Sequence, residues 1–271
     1  NIIFDGELLS VRHPAASRMI KLLDRIRENA GEPLYFEIST KNSFPTGAGI
    51  ASSASGFAAL GLAAVGAVTQ SIDIDVLHQW VGGKSSFEQL IRLGSGSACR
   101  SLYGGLVQWN KGSSPANQSV QQHDLAVTES VRDIVVIINS SAKKHSSSHG
   151  HSLAPSSLFH QMRVAESSRR IERLLNVINA QDFAALADIV ESEAMEMHAS
   201  MQTCSTPLEY FGKKTAEFIS SFRKARHAKQ WPAAFTLDAG SNVHLICHCH
   251  CEEQIITWIK NFHNEHRFIT D

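Results

Sequence analysis

Apolar positions along the chain follow two spacings, and the changes between them mark the elements. "NIIFDGELLS" (1–10) reads as apolar residues, an Asp5-Gly6 turn and apolar residues again, the pattern of a β-hairpin. From Ala15 to Asn29 the residues Met19, Ile20, Leu22, Leu23 and Ile26 fall on one stripe of a helix. "LYFEIST" (34–40) alternates like a strand. A loop rich in small residues follows, and then a nearly unbroken apolar helix over Gly56–Val68. Asp75–Leu93 fits one or two further helices, and "GLVQWN" (105–110) a strand.

In the second half, "DIVVIIN" (133–139) is almost all apolar, which predicts a central strand covered on both faces. Residues 141–157, with Ser, His, Lys and Pro155, read as loop. Helices are predicted over Phe159–Asn179, Asp182–Ser200 and from Pro207 to about Lys229. "AAFTLDAGSNVHLICHC" (233–249) gives strand, tight turn and strand; Glu252–Asn264 gives a helix and "RFIT" (267–270) a last short strand. No internal repeat or disordered tract stands out. This order suits an α+β layer, with helices on one face of an antiparallel sheet.

Composition narrows the function classes. With 271 residues, 43% of them apolar, the chain can bury a substantial core in one large or two ordinary domains. Lys plus Arg total 25 and Asp plus Glu 26, so no field steers the protein toward nucleic acid or an anionic membrane. Any bound anion must be held locally. The longest apolar run, Gly56–Val68, is shorter than the ~20 residues that span a bilayer, and a buried helix fits it better. The five cysteines are odd in number and three are clustered, a poor disulfide framework that suits a reducing compartment.

Three stretches carry candidate chemistry. In "NSFPTGAGIASSASGF" (42–57), small residues let backbone amides approach a ligand closely, and the loop feeds directly into a helix N-terminus. Ser52, Ser53 and Ser55 add hydroxyl donors. A phosphate chain suits this pattern, although no Gly-Lys-Ser/Thr follows as in a Walker loop; a Gly/Ser turn capped onto a helix has the same composition. Arg100 lies in "SACRS", among Ser95, Ser97 and Ser101, a setting for gripping a planar carboxylate or for holding loop carbonyls. Asp238 ends an apolar strand before Ala239-Gly240. It is placed either to orient or deprotonate a hydroxyl across a cleft or to bond its own turn.

Two histidine-rich stretches are weaker. "KKHSSSHGH" (143–151) combines Lys143 and Lys144 with three serines and suits a solvated loop; its three histidines have no spacing that compels a metal. In "HLICHCHC" (244–251), a straight strand would put Cys247, Cys249 and Cys251 on one face and His244, His248 and His250 on the other. Alternate residues then lie roughly 7 Å apart, too far for one zinc ion. Buried thiols on a core strand are the preferred reading, and no metal site is predicted.

"NSFPTGAGIASSASGFAAL" (42–60) resembles the ATP-binding loop of the GHMP small-molecule kinases. "GSGSACRSLYGGLVQW" (94–109) resembles a string particular to the mevalonate diphosphate decarboxylases among them. "FTLDAGSNVHL" (235–245) is similar to their third motif, and "HAS…PLEY" (198–210) is a looser match. The resemblance implies an α+β protein of the GHMP kinase fold. Residues 1–130 would form an N-terminal ribosomal-protein-S5-like α/β domain that carries the ATP-binding loop and is shortened at its start. Residues 131–271 would form a C-terminal ferredoxin-like α+β domain, with the active-site cleft between the two. The family has a further segment before the hairpin, including Lys-Tyr-Trp-Gly-Lys, that the sequence does not show. It also usually has Pro where Ser241 stands, and uncharged residues in place of His145, His149 and His151.

By that resemblance, Pro45, Gly47, Gly49, Ala51, Ser52, Ser53 and Ser55 bind ATP. Ser95, Gly96, Ser97, Arg100, Ser146, Ser147 and Asp238 bind substrate; Asp238 and Arg100 are catalytic. His198 takes the family's place on a helix facing the cleft or is structural. The implied reaction is ATP- and Mg²⁺-dependent decarboxylation of mevalonate 5-diphosphate to isopentenyl diphosphate. A cytoplasmic homodimer without nucleic-acid or membrane partners is expected. A phosphomevalonate decarboxylase, a related kinase that stops at phosphorylation, and a non-catalytic nucleotide-binding homologue are the alternatives.

Overall fold

The computed structural model describes residues 1–114, 117–123, 130–141 and 143–266, side chains included except at 264–266. The chain divides into two compact units, one of residues 1–46 and 51–124, the other of 47–50 and 125–271.

In the first unit, β1 (Ile2–Phe4) and β2 (Glu7–Leu8) pair antiparallel around Asp5 and Gly6, whose φ values of 49° and 87° form the predicted hairpin turn. β1 also pairs in parallel with β3 (Ile38–Thr40). β3 has only three residues, because β1 offers no longer partner; residues 34–37 of the predicted strand stay outside it, and Tyr35 is 94% exposed. α1 (Pro14–Ala30) buries Met19, Leu22, Leu23 and Ile26 as its stripe predicts. Proline at its first turn and Gly31 in the left-handed region past its end fix the helix limits. α2 (Ser52–Thr69) is long and apolar enough to cross a membrane by length and composition, yet Phe57, Ala58, Ala64 and Val65 are buried in the unit's core. The 75–93 region forms two helices, α3 (Ile74–Trp80) and α4 (Lys84–Arg92), the second burying Phe87, Leu90 and Ile91. The GSGS string continues into a 3-10 helix, Gly96–Leu102, which precedes a ribbon of β4 (Leu106–Asn110) and β5 (Ser119–His123).

The second unit has an antiparallel sheet in the order β6 (Val131–Val136), β8 (Val243–His248), β7 (Ala233–Leu237). The prediction for 133–139 is corrected. β6 lies at the end of this order, not in the middle, Asp133 is exposed and Val135 is 40% exposed. Its apolar run reflects a strand with one packed face. β8 alternates strictly, with Val243, Leu245 and Cys247 fully buried. Phe218 and Phe222 of α8 (Lys213–Lys229) and Ile255 and Ile259 of α9 (Glu252–His266) join these strand residues in one core. Each such side chain contributes on the order of 1.5–3 kcal/mol.

Three other expectations change. Residues 147–153 form a short helix, α5 (Ser147–Leu153), capped by the Ser146 hydroxyl, so the 141–157 stretch is not all loop. α6 (His160–Asn179) and α7 (Phe183–Gln202) match their patterns, but α8 starts at Lys213 and not at Pro207. Leu208 and Tyr210 are buried with Met201 and Cys204, which holds 207–210 in a non-helical course. β8 ends at His248, and Cys249–Cys251 is a 3-10 turn, so the cysteines and histidines of 244–251 do not share strand faces as expected. The predicted strand at 267–270 lies outside the described residues. None of the five cysteines is in a disulfide.

The outer edge of β7, which packs against α7, is met by a buried carboxylate. Glu191 of α7 accepts from the Phe235 N–H (3.3 Å), from Arg223 Nε (2.9 Å) and from Arg226 Nη1. Arg226 also donates to the Ala233 carbonyl at 3.1 Å. Removing one partner of such a buried set leaves charge uncompensated. Glu191→Ala is therefore expected to lower stability by about 3 kcal/mol in urea unfolding; a loss below about 1 kcal/mol would show that the carboxylate does not hold this edge.

Candidate active site

The residues singled out from the sequence divide between the two units, and each unit assembles its own share. In the second unit, Gly47–Ile50 packs directly on the Asp238–Ser241 turn that links β7 to β8. A Cβ on Gly49, whose φ is +81°, would lie 2.4 Å from Gly240 Cα. A Cβ on Gly240 would lie 2.5 Å from Gly49 Cα and 2.7 Å from the Ala48 carbonyl oxygen. Neither position has room for a side chain.

Asn242 fixes this contact. It is fully buried, and its amide is completely used. Oδ1 accepts from the Ile138 and Asn139 N–H groups at 2.8 and 3.0 Å; Nδ2 donates to the Ala48 and Asn139 carbonyls at 2.8 and 3.0 Å. Lys143 adds a second tie. Its N–H donates to the Gly47 carbonyl (3.1 Å), and its Nζ donates to the Ala239 carbonyl (2.8 Å) and to Ser147 Oγ (2.7 Å). Burial pushes the Lys143 pKa down, and the nearby Asp238 carboxylate opposes that shift.

Asp238 itself is exposed at the strand end, with its carbonyl accepting from the Gly240 N–H at 2.7 Å. Ser146 caps α5 by accepting from the His149 N–H (3.1 Å), and its carbonyl accepts from the Tyr210 hydroxyl (3.2 Å). His198 is 2% exposed, edge-on to Phe211 at 4.8 Å between ring centroids. Burial lowers its pKa to about 4, against the opposing effect of a hydrogen bond with the Asp238 main chain. His198 is thus a neutral support beneath the turn. A cavity of about 400 Å³ beside the turn is lined by Ile138, Asn139, Gly212, Lys213, Lys214, Thr215 and Ser241. Thr215 donates to the Ser241 carbonyl at 2.8 Å, and α8 begins there without a side-chain cap, an arrangement suited to an anion.

In the first unit, α2 begins at Ser52 after Ala51, which sits in the left-handed region (φ 57°) and provides no side-chain cap. Strain of this kind in a non-glycine residue costs of order 1–3 kcal/mol and concentrates at ligand sites. Ser53 Oγ and Ser95 Oγ are 3.3 Å apart, so the 42–60 and 94–109 strings meet through these two hydroxyls. Ser55 is turned back, donating to the Ser52 carbonyl at 3.2 Å. Ala98 and Cys99 are fully buried and pin the 3-10 helix, leaving Gly96 and Arg100 exposed and Ser97 half-buried. Among the described residues, none accepts a hydrogen bond from the Arg100 guanidinium. Buried Glu88 accepts from Tyr103 Oη (2.8 Å) and from the Val120 N–H (3.0 Å), anchoring the far end of the segment. Burial and the Glu88 carboxylate push the Tyr103 pKa up, which keeps it a donor. Pro45, half-buried, lies in the loop before Gly47.

Sequence reasoning missed the parts played by Asn242, Lys143, Thr215 and Glu88. Asn242 was within reach, since it closes the "DAGSN" string. The others depend on contacts between segments far apart in the chain.

Comparison with known proteins accounts for the combination. Residues 1–121 match the diphosphomevalonate decarboxylase-like N-terminal domain, and residues 133–270 the mevalonate 5-diphosphate decarboxylase C-terminal domain. The chain belongs to the diphosphomevalonate decarboxylase family. It is 31% identical over 252 residues to the diphosphomevalonate decarboxylase of Candida albicans, covering 88% of this chain and 66% of that one. With the human enzyme it shares 29% over 245 residues, 85% of this chain and 58% of the other. It spans less than two thirds of the length of these curated relatives. Mevalonate diphosphate decarboxylase from Enterococcus faecalis superposes with a TM-score of 0.82 at 28% identity, over 98% of this chain and 76% of that one. A structure in complex with MVAPP, AMPPCP and magnesium superposes at 0.83 and 29% identity, over 96% and 76%. The fold is that of the family's two-domain α+β GHMP enzymes.

Two outcomes test this geometry. Gly240→Ala must push Gly47–Ile50 away from the turn, and is expected to lower stability by about 1–3 kcal/mol in urea unfolding. An unchanged unfolding midpoint would contradict the placement of this loop. For His198 the sign is fixed by the lowered pKa. Between the unfolded value of 6.5 and the folded value of about 4, only the unfolded chain gains the proton, so stability falls as pH drops and levels off below about 4. The wild-type advantage over His198→Gln should shrink by about 3 kcal/mol from pH 7 to pH 4; a difference independent of pH would exclude a neutral buried imidazole.

Proposed function

We propose that this protein catalyses ATP-dependent decarboxylation of mevalonate 5-diphosphate to isopentenyl diphosphate, releasing ADP, phosphate and carbon dioxide. The observation that carries the reading is the seating of Gly47–Ile50 on the Asp238 turn through Gly49, Gly240 and Asn242. Family membership and the relative in complex with MVAPP, AMPPCP and magnesium support it.

The donors present fit a nucleotide. A loop of small residues around Gly47 and Gly49, an uncapped helix start and the Ser52 and Ser53 hydroxyls offer hydrogen bonds to phosphate oxygens. Serine hydroxyls and phosphate oxygens are also the hard ligands that Mg²⁺ takes. When bound, ATP with Mg²⁺ supplies the phosphoryl group and the charge neutralisation for its transfer.

The chain's own residues have separate tasks in this reading. Asp238, exposed and held by a rigid turn, accepts a hydrogen bond from the substrate's tertiary hydroxyl and orients it. It then stabilises the electron-poor carbon that develops as phosphate leaves. Arg100 offers two parallel N–H groups to the substrate carboxylate and aligns the C–C bond that breaks. Ser95, Gly96 and Ser97 shape that pocket, while Ser146 and Ser147, beside Lys143, face the diphosphate. Pro45, Gly47, Gly49, Ala51 and Ser55 complete the nucleotide loop. The reading includes a cytoplasmic homodimer with no nucleic-acid or membrane partner, and the near balance of 25 basic and 26 acidic side chains supports the latter.

The test is incubation with ATP, Mg²⁺ and mevalonate 5-diphosphate, with ADP and carbon dioxide measured separately. Equal amounts of both are expected, and Asp238→Asn should lose at least about a hundredfold in rate. ADP without carbon dioxide would replace the proposal with a kinase; nucleotide binding without either product would replace it with a non-catalytic homologue.

A further inference from the structure

The strand end after β8 gathers three metal-ligating side chains that the proposed reaction does not use. β8 stops at His248, where the His248 N–H donates to the Pro232 carbonyl (3.0 Å) and the Cys249 N–H to the Ser130 carbonyl (2.6 Å). The chain then turns through one 3-10 turn. In an extended strand, successive side chains would point to opposite faces. The turn instead brings one ligating atom each of His248, Cys249 and His250 within 4.8 Å of one another.

We propose that His248, Cys249 and His250 form a binding site for a borderline-soft divalent metal ion, Zn²⁺ in particular. One thiolate and two imidazoles are the donor types that zinc prefers over the hard cations. The distances are near what the ion needs. Tetrahedral zinc, with bonds of about 2.3 Å to sulfur and about 2.0–2.1 Å to nitrogen, places those two atoms about 3.6 Å apart; Cys249 Sγ and His248 Nδ1 are 3.7 Å apart. The His250 N–H points at His248 Nδ1 at 3.2 Å, so this ring nitrogen faces into the turn. A metal at Nδ1 would take the place of that long hydrogen bond.

The rest of the turn supports rather than competes. The edge of Phe183 meets the His248 ring at 5.7 Å between centroids and holds it in place. The His248 and His250 rings lie 4.4 Å apart. Cys251 is buried and donates to the His248 carbonyl at 3.1 Å, so it stands apart from the three proposed ligands. His250 is exposed and the other two ligands are half-buried, so an ion reaches the site without unfolding the sheet. A zinc here would clamp the end of β8 to the start of α9.

The test is zinc binding by the intact chain after chelator treatment and dialysis, with metal content measured by mass spectrometry and Co²⁺ used as a spectroscopic probe. One equivalent is expected, with a thiolate-to-cobalt charge-transfer absorption. Cys249→Ser should abolish that absorption, and His250→Ala, a change at an exposed side chain, should weaken Zn²⁺ binding at least about tenfold. His149→Ala, in the other histidine-rich stretch, should leave binding unchanged. No retained zinc, cobalt absorption that persists in Cys249→Ser, or loss of binding in His149→Ala with His250→Ala unaffected would each overturn the proposal. Circular dichroism confirms that each variant is folded, and none of these readouts depends on catalytic turnover.

Discussion

Two glycine backbones in van der Waals contact set the terms for the second unit. Gly49 and Gly240 come from segments almost two hundred positions apart, and each occupies the space where the other's side chain would be. Such a contact has little enthalpy of its own. It holds because Asn242, with four hydrogen bonds and no exposure, joins the Ala48 carbonyl, the end of β6 and the turn in one network. A buried amide with every donor and acceptor satisfied is rigid, since any movement leaves a polar group unpaired in a dry interior. Asp238 therefore stands on a turn that cannot drift relative to Gly47–Ile50.

The same logic recurs at two buried carboxylates. Glu191 accepts from the Phe235 N–H and from two guanidinium groups, and so holds the outer edge of β7 among the described strands. Glu88 answers the Tyr103 hydroxyl and the Val120 N–H, and so fixes the 3-10 helix that carries Arg100. In each unit, apolar burial supplies most of the stability and a single polar residue decides where one segment stops. Asp238 and Arg100, which carry the chemistry in the proposed reaction, are exposed, and the groups that hold their segments are buried.

His198 and Lys143 show how burial divides labour among titratable groups. His198, 2% exposed beneath the turn, is kept neutral and acts as packing. Lys143 gives its charge to the Ala239 carbonyl and the Ser147 hydroxyl, close to Asp238. Neither role follows from residue type, since histidine and lysine near a serine-rich segment would ordinarily be taken for direct ligands of substrate.

By itself, the sequence determined what depends on short range: the hairpin at Asp5-Gly6, the stripe of α1, the long helices α6 and α7, the β7–turn–β8 unit, and the strings that mark the family. These depend on periodicity and turn chemistry within a few residues, and neighbours along the chain fix them. Only the tertiary structure decided the course of 207–212, the edge position of β6, the helix at Ser147–Leu153 and the turn that gathers His248, Cys249 and His250. There the local pattern admitted two answers, and the choice was made by partners distant in sequence: the packing of Leu208 and Tyr210, the pairing of β8 between two strands, and the Pro232 and Ser130 carbonyls that end it. The physical reason is that burial and hydrogen-bond satisfaction are properties of the assembled unit, whereas propensity belongs to the segment.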